Sequence, residues 1–593
     1  MTALILFSTG GSFKVVFDAF PPEYLLYGGA LMKRTLFTAF LLVILSAVLF
    51  ASGADETKGA QGNGEPHVFS PDNPVTIDAW IVTSQTAPSP DNKISKLLKE
   101  KLGVTLNYDI TTPDQQLDRI GIMLAAGSIP ELVGSTDQQA RLVQGGALLR
   151  LDDYLDSGRW PLLAEHVRPV RKKLTWTGGG VEDGLYQFPN YNRFYGNPPI
   201  MSPIHWGTAF WIQKDVLAFH NYPSLENMTL ERYFDMIESY MKANPTIDGA
   251  KTIGFSFPMQ GRVWGLTNPP LFLAGYPNDG GVMVDDGQAK IYANSKYAYD
   301  YFKFLNMAHD RGLVDPESFT QTLDQYLAKV ASGRVLGVHD QRWSFGTAND
   351  ALVANGQYER TYAATMPTFP GKKPYYADRD VLNINQGFGI ASNAENPELL
   401  LDFLEIMLTP EWQTILSWGI EGEDYLVDEN GLFYKTQEMR DNFNNLTWKQ
   451  DNRLEALLDI MVKRQGELPG GNAFAAGDQP GEFFDSLKQY DKDFLAAYGL
   501  QTWRQFVNDP PPNPAHYPAW QISPPDGSAA QVANQQLEDA AQRYLSEAVL
   551  TDPARFDSVW DEYMAAIDSI DVAAFEAVIT EGVQARIRAA GGE

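Results

Sequence analysis

From residue 75 onward the apolar positions fall into short runs whose period switches between two and three-to-four. Val75–Val82 (VTIDAWIV) is β-branched and apolar and predicts a strand. Asp91 can cap a following helix with Ile94, Leu97, Leu98 and Leu102 on one face, stopped by Gly103. Residues 104–110 (VTLNYDI) predict a second strand, 115–126 a helix stopped by Gly127, and 131–133 a third strand. This order argues for an α/β fold, a parallel sheet covered by helices. In such sheets ligands sit beyond the carboxyl ends of the strands.

The same alternation returns further on. Thr229 can cap a helix with Tyr233, Phe234, Ile237, Tyr240 and Met241 on one face. A strand over 252–257, helices over 297–311 and Leu323–Ala331, a buried strand over 335–339 and a helix over 398–408 come next. Residues 537–590 read as amphipathic helix without strong strand signals. The Pro-rich stretch 509–518 and residues 523–527 read as loops. Trp412, Trp418, Trp448, Trp503 and Trp560 fit helix packing, and no short repeat points to a solenoid or propeller.

The N-terminal part has a different pattern. Met32-Lys33-Arg34 opens a basic start, residues 36–51 are apolar apart from Thr38 and Ser46, and Ala51-Ser52-Gly53 are small. This is the layout of a secretory signal peptide over 32–53, with cleavage expected near Gly53. The apolar run is short for a membrane span, although an uncleaved anchor is the competing reading. Residues 1–31 then read as an upstream translation artefact. Residues 49–53 resemble a lipobox, but Ala54 stands where the lipid-bearing Cys would fall, so no lipid anchor is expected. Residues 54–74 are polar and Gly-rich and read as a flexible linker.

Composition then narrows the function classes. The chain has 593 residues, too many for one core. Its formal charge of −28 repels phosphate backbones, so nucleic acid is not an expected partner. Cysteine is absent, which excludes disulfides, thiolate metal sites and Cys nucleophiles. There is no G-x-S-x-G elbow, P-loop, G-x-G-x-x-G or H-E-x-x-H, and the seven His do not pair at metal-ligand spacing. No metal or cofactor is implied. Paired carboxylates of a glycosidase remain open on sequence, because acidic residues are plentiful.

Several segments, in order, resemble the extracellular solute-binding proteins of ABC importers, in the family that mostly binds carbohydrates. Residues 183–189 (DGLYQFP) are similar to that family's DGKLYGIP, and 211–217 (WIQKDVL) to its YRKDVL element. Residues 311–317 (RGLVDPE) are similar to its GLIDPE, and 331–338 (ASGRVLGV) to its GKVAM strand. Residues 385–392 (NQGFGIAS) followed by Asn396-Pro397-Glu398 resemble its return into the first lobe. Residues 418–425 and 428–431 resemble its longer members. The resemblance covers most of 75–435 and thins beyond. It implies a two-lobed, type II periplasmic-binding-protein fold with hinge crossings and a helical C-terminal extension. Lobe one would be 75–195 with 380–420, and lobe two 196–379 with 421–593. The implied function is capture of a carbohydrate between the lobes and its delivery, unchanged, to ABC permease subunits. The aromatic content favours an oligosaccharide. The protein is expected to be an exported monomer in the periplasm or outside the cell, and not an enzyme. The rivals are a secreted polysaccharide-active enzyme, a binder of peptides or other solutes, and a sensory binding protein.

A sugar offers a C–H face to a flat ring and hydroxyls to polar groups, which must be paired once buried. Candidate contacts are therefore Trp or Tyr near polar residues at strand ends and crossings. Asp340, Arg342 and Trp343 follow the strand at 335–339. Trp206 and Tyr191 flank the first crossing, with His205 and Asn192 beside them. Trp80 and Asp137 leave strands of the first sheet. Gln386 lies on the returning strand, Glu421 just past it, and Trp264 with Arg262 lies in lobe two. Ordinary packing competes for Trp343, Trp206 and Trp80, and a helix N-cap for Asp137. His516, Tyr517 and Trp520 read as a surface loop more readily than as cleft wall.

Overall fold

The structure is a computed structural model. It describes residues 5–9, 12–16, 66–83, 85–113, 115–136, 138–176, 181–189, 200–259, 263–377, 384, 386–479, 481–525 and 527–589. Residues 5–9 and 12–16 form an antiparallel hairpin in a unit of their own, with Ile5 opposite Val16. The signal peptide over 32–53 and most of the linker lie outside the described residues, as do Asp137, Tyr191 and Arg262. Among the described residues no helix is long and apolar enough to cross a membrane.

Nine strands build the two sheets of the main unit: β1 (Val75–Val82), β2 (Val104–Thr111), β3 (Leu132–Ser135), β4 (Phe188–Pro189), β5 (Thr208–Gln213), β6 (Ile253–Ser256), β7 (Val335–Gln341), β8 (Tyr362–Thr365) and β9 (Gly387–Ile390). The first sheet has the order β2-β1-β3-β9-β4. β1 runs parallel to β2 and β3, whereas β9 is antiparallel to β3 and β4. The second has the order β6-β7-β5-β8, with β6 parallel to β7 and β5 antiparallel to β7 and β8. All seven residues of β7 are buried, as a strand covered on both faces requires.

The helices α1 (Lys93–Leu102), α2 (Gln116–Ala126), α3 (Leu230–Ala243) and α4 (Leu323–Ala331) fall where the apolar period places them. Thr229 caps α3 as expected, and Thr322, which was not among the expected caps, caps α4. The cap of α1 is Asn92 rather than Asp91. Its Oδ1 accepts from the amides of Ile94 and Ser95 at 2.9 and 3.0 Å. Gly103 ends α1 at φ +68°, where a Cβ would meet the Ser70 carbonyl oxygen at 2.1 Å. That contact belongs to a folded segment, and residues 66–74 depart from the flexible linker expected of them. Phe69 packs on Phe403, and the His67 amide donates to Asp402 Oδ2 at 2.7 Å.

Two large cores sit on the two sheets. The first joins residues of 69–188 to residues of 388–462, and the second joins 209–377 to 494–583. Residues 454–462, expected with the second lobe, pack instead under the first sheet. Leu454, Leu457, Ile460, Met461 and Val462 are all buried there, worth on the order of 10 kcal/mol gross before chain entropy. Gly134 in β3 admits this segment, since a Cβ would lie 2.9 Å from Ile460 Cγ2. Asn92 Nδ2 donates to the carbonyls of Gln450 and Arg453 at 2.7 Å, which ties the same segment to α1. The C-terminal helices close the second core. Asn306 donates to the Thr551 carbonyl at 2.7 Å, and the amides of Ala289 and Ile291 donate to Thr580 Oγ1 and Glu576 Oε1 at 3.0 Å. These last two bonds cover the edge of the antiparallel hairpin Val282–Asp285 and Gln288–Ile291, which would otherwise be open.

Candidate functional site

Chain connectivity places the site before any side chain is considered. β4 ends at Pro189 and the chain next forms β5 at Thr208; β8 ends at Thr365 and the chain returns at Gly387 in β9. On the first sheet Gly387 registers with Ser135, the end of β3, and with Pro189. On the second, Thr208 registers with Gln341, the end of β7, and Thr365 with Phe210. Both connections therefore join the edge of each sheet where its parallel strands end. That is the edge at which α/β sheets hold ligands.

Two side chains hold the stumps of these connections. Gln187 Nε2 donates to the Ile384 carbonyl at 2.7 Å, linking the two connections on the first-sheet side. Asn508 Oδ1 accepts from the amides of Tyr376 and Ala377 at 3.0 and 3.2 Å on the second-sheet side. Neither role is readable from sequence. Gln187 sits in a family-like motif as an ordinary polar residue, and Asn508 precedes a Pro-rich loop that carries no pairing information.

At the edge of the second sheet the strand passes into helix with no intervening loop. α5 (Arg342–Ala354) starts immediately after Gln341. Its first amides find acceptors in the connection: Arg342 N donates to the Gly207 carbonyl at 3.0 Å and Trp343 N to the Trp206 carbonyl at 3.3 Å. Trp343 and Trp206 are thereby joined through the backbone. Trp343 is 56% exposed and Trp206 45%, high for indoles. Trp264, half-buried, brings its ring to 6.2 Å from that of Trp343 at 37°. Trp206 Nε1 donates to Ser202 Oγ at 3.2 Å, which orients its ring. Below them His205 donates from Nε2 to the Thr208 carbonyl at 2.9 Å and stacks on Trp211. Burial pushes the His205 pKa down to about 4, so its ring is neutral at ordinary pH. A small cavity of about 30 Å³ at this edge is lined by Gly207, Thr208, Asn278, Gln341 and Tyr375, room for little more than water.

Three of the expected contacts are placed otherwise. Asp340 is fully buried with both carboxylate oxygens engaged. Oδ1 accepts from the Gln341 amide at 2.7 Å, and Oδ2 from Ser344 Oγ at 2.8 Å, so it braces the start of α5. Arg342 has a side chain only 12% exposed, lies against the rings of Trp206 and Phe345, and pairs with Asp350 at 3.6 Å. It supports Trp206 from behind. Trp80 is wholly buried in the first lobe, its Nε1 donating to Thr111 Oγ1 at 2.8 Å. Gln386 is half-buried next to β9, at the edge of the first sheet. Trp206, Trp264 and Trp343 are thus the expected residues that the fold brings together. Among the described residues no group of three or more His, Asp or Glu is placed to hold a metal ion.

Residues 93–420, more than half of the chain, match the family described as bacterial extracellular solute-binding protein, and the chain belongs to it. The fructooligosaccharide ABC transporter substrate-binding protein FusA of Streptococcus pneumoniae serotype 4 is 22% identical over 404 residues, covering 65% of this chain and 71% of FusA. Among solved structures, an extracellular solute-binding protein from Bifidobacterium longum subsp. infantis superposes with a TM-score of 0.59 at 15% identity, over 87% of this chain and 99% of its own. The alginate-binding protein AlgQ2 superposes with a TM-score of 0.58 at 14% identity, over 88% and 100%. At these identities the likeness shows the fold, which is that of a two-lobed type II solute-binding protein.

Proposed function

We propose that this protein captures an oligosaccharide between its two lobes and delivers it unaltered to the permease of an ABC importer. The observation that carries the proposal is the gathering of Trp206, Trp264 and Trp343, two of them about half exposed, on the edge where both connections arrive. Flat, rigid, partly wet rings suit the C–H face of a sugar. The closeness and tilt of the Trp264 and Trp343 rings make an angled platform, with Trp206 tied to it through the backbone, suited to neighbouring units of a linked chain rather than to a ring clamped between parallel planes. The fructooligosaccharide and alginate specificities named for FusA and AlgQ2 support a polymeric sugar as the cargo.

The two cores are read as the two lobes: 66–189 with 386–462, and 200–377 with 489–589. Ligand would favour the closed arrangement by its extra contacts there, the ordinary basis of a clamshell switch. Export follows from the signal layout over 32–53, with loss of the leader near Gly53 and action as a monomer outside the cytoplasmic membrane. The chain is read as non-enzymatic.

A thermal-shift and calorimetric screen over fructans, glucans, host-type glycans and alginate fragments tests the reading. Binding to the folded state alone raises the melting temperature by mass action. At least one oligosaccharide is expected to stabilise the protein and to be recovered intact. No response to any carbohydrate, or release of reducing ends, refutes it.

A further inference from the structure

A depression of about 620 Å³ lies beside the first connection, walled by three stretches distant in sequence: 200–203, 478–484 and 501–509. Its volume is that of a small-molecule site and far beyond what a single water fills. Two apolar side chains face solvent on its wall, Phe484 at 42% and Met201 at 40% exposure. Arg504 lies on the same wall. Its amide donates to the Pro203 carbonyl at 2.8 Å, while its guanidinium has no hydrogen bond or ion pair among the described residues. Asp478 and Asp509 add two carboxylates to a lining that also holds Gln501, Thr502 and Gln505.

The depression meets the tryptophan platform at one residue. Ser202 lines it, and the Ser202 hydroxyl is the acceptor of the Trp206 indole N–H. Asn508, also on its wall, holds the amides of Tyr376 and Ala377 within the second connection. A molecule in the depression would therefore border Trp206 and abut residues that fix both connections.

We propose that this depression is an additional subsite, taking a further neutral sugar unit of the same oligosaccharide that Trp206 and Trp343 hold. The inference rests on the carbohydrate reading and extends it to ligand length and charge. Phe484 and Met201 offer apolar contact to a ring face. Arg504 supplies donors, and the two carboxylates supply acceptors for hydroxyls. Those same carboxylates, in a chain of net charge −28, oppose an acidic sugar.

The test is calorimetry on the full chain with two neutral series, sucrose to fructo-nystose and maltose to maltoheptaose, and with alginate fragments as the acidic probe. Phe484→Ala and Arg504→Gln are the variants; Phe484 is exposed and Arg504 half-buried, so both should fold with near-normal melting. Each is expected to weaken the longest bound member roughly tenfold, about one good ring or charged hydrogen-bond contact, while the shortest bound member changes by less than about twofold. Equal loss at every length, or no loss in either variant, overturns the subsite and leaves the carbohydrate reading standing. Alginate fragments binding more tightly than neutral oligomers overturns the assignment to a neutral unit. No binding of any carbohydrate by the unaltered chain overturns the carbohydrate reading, and the subsite falls with it.

Discussion

Replacing Trp343 by Ala separates the binding role of this residue from its packing role. An aromatic side chain buries about 150–250 Å² when fully covered. With 56% of the residue exposed, roughly 100 Å² of Trp343 is open to a ligand, and a sugar on one face would cover about half of that. At about 25 cal/mol per Å² the loss is roughly 1.2 kcal/mol, or close to tenfold in affinity. The cost in stability should be small. The contact with the Trp264 ring at 6.2 Å is worth about 0.5–1.5 kcal/mol, offset by a few tenths because Ala favours the first turn of α5. Titration calorimetry with the best oligosaccharide, beside a melting curve of the apo variant, reads both quantities. Affinity should fall about tenfold and the melting temperature by no more than about 2 °C. An affinity within about twofold of the parent removes Trp343 from the site, and a large fall in melting shows it to be a packing residue after all.

Three further outcomes concern groups now located. His205 is neutral in the fold with its pKa pushed down to about 4, against about 6.5 when unfolded. The unfolded chain therefore takes up the extra proton between those values, so stability is full above about pH 6.5 and falls toward pH 4, by on the order of 3 kcal/mol from this group. His205→Gln should flatten that part of the pH profile in chemical denaturation, and an unaltered slope would contradict the assignment. Trp80→Phe should cost about 1–3 kcal/mol through lost volume and the orphaned Thr111 hydroxyl, with carbohydrate affinity unchanged; weakened binding at normal stability would return Trp80 to the site. Asp491→Ala leaves the buried Lys214 ammonium without the carboxylate 2.6 Å away and should cost about 3–5 kcal/mol, read as a lower denaturation midpoint; a loss below about 1 kcal/mol would show that the pair is not important to the fold.

Local periodicity makes most of the framework readable. β1 and α4 fall on the expected residues, because an apolar run or a 3.6-residue period needs no distant information. The site is only partly readable, for reasons visible at Asp340. A polar residue at a strand end has two uses, a ligand contact or a brace for the next element. The sequence DQRW shows only that it follows a strand and gives no sign of the immediate start of α5, which takes up both carboxylate oxygens. Asn92 displaces Asp91 as a cap because its side chain also reaches the carbonyls of Gln450 and Arg453, a pairing that only the fold creates. Residues 454–462 are assigned to the wrong lobe by sequence for the same reason: their apolar pattern shows that they must be buried, not under which sheet. The aromatic candidates divide in the same way: the fold gathers Trp206, Trp264 and Trp343 at one edge and buries Trp80, a difference that an indole at a strand end does not announce.

The way the first core is assembled also sets a timetable. β9 is the strand that joins β3 to β4, and the whole of the second sheet is encoded between β4 and β9. The ribosome must then proceed to residue 462 before the underside of that sheet is filled. Contacts so remote along the chain form late. Completion of the first sheet therefore waits on segments encoded far behind it, and its unfilled underside stays open to solvent until they arrive.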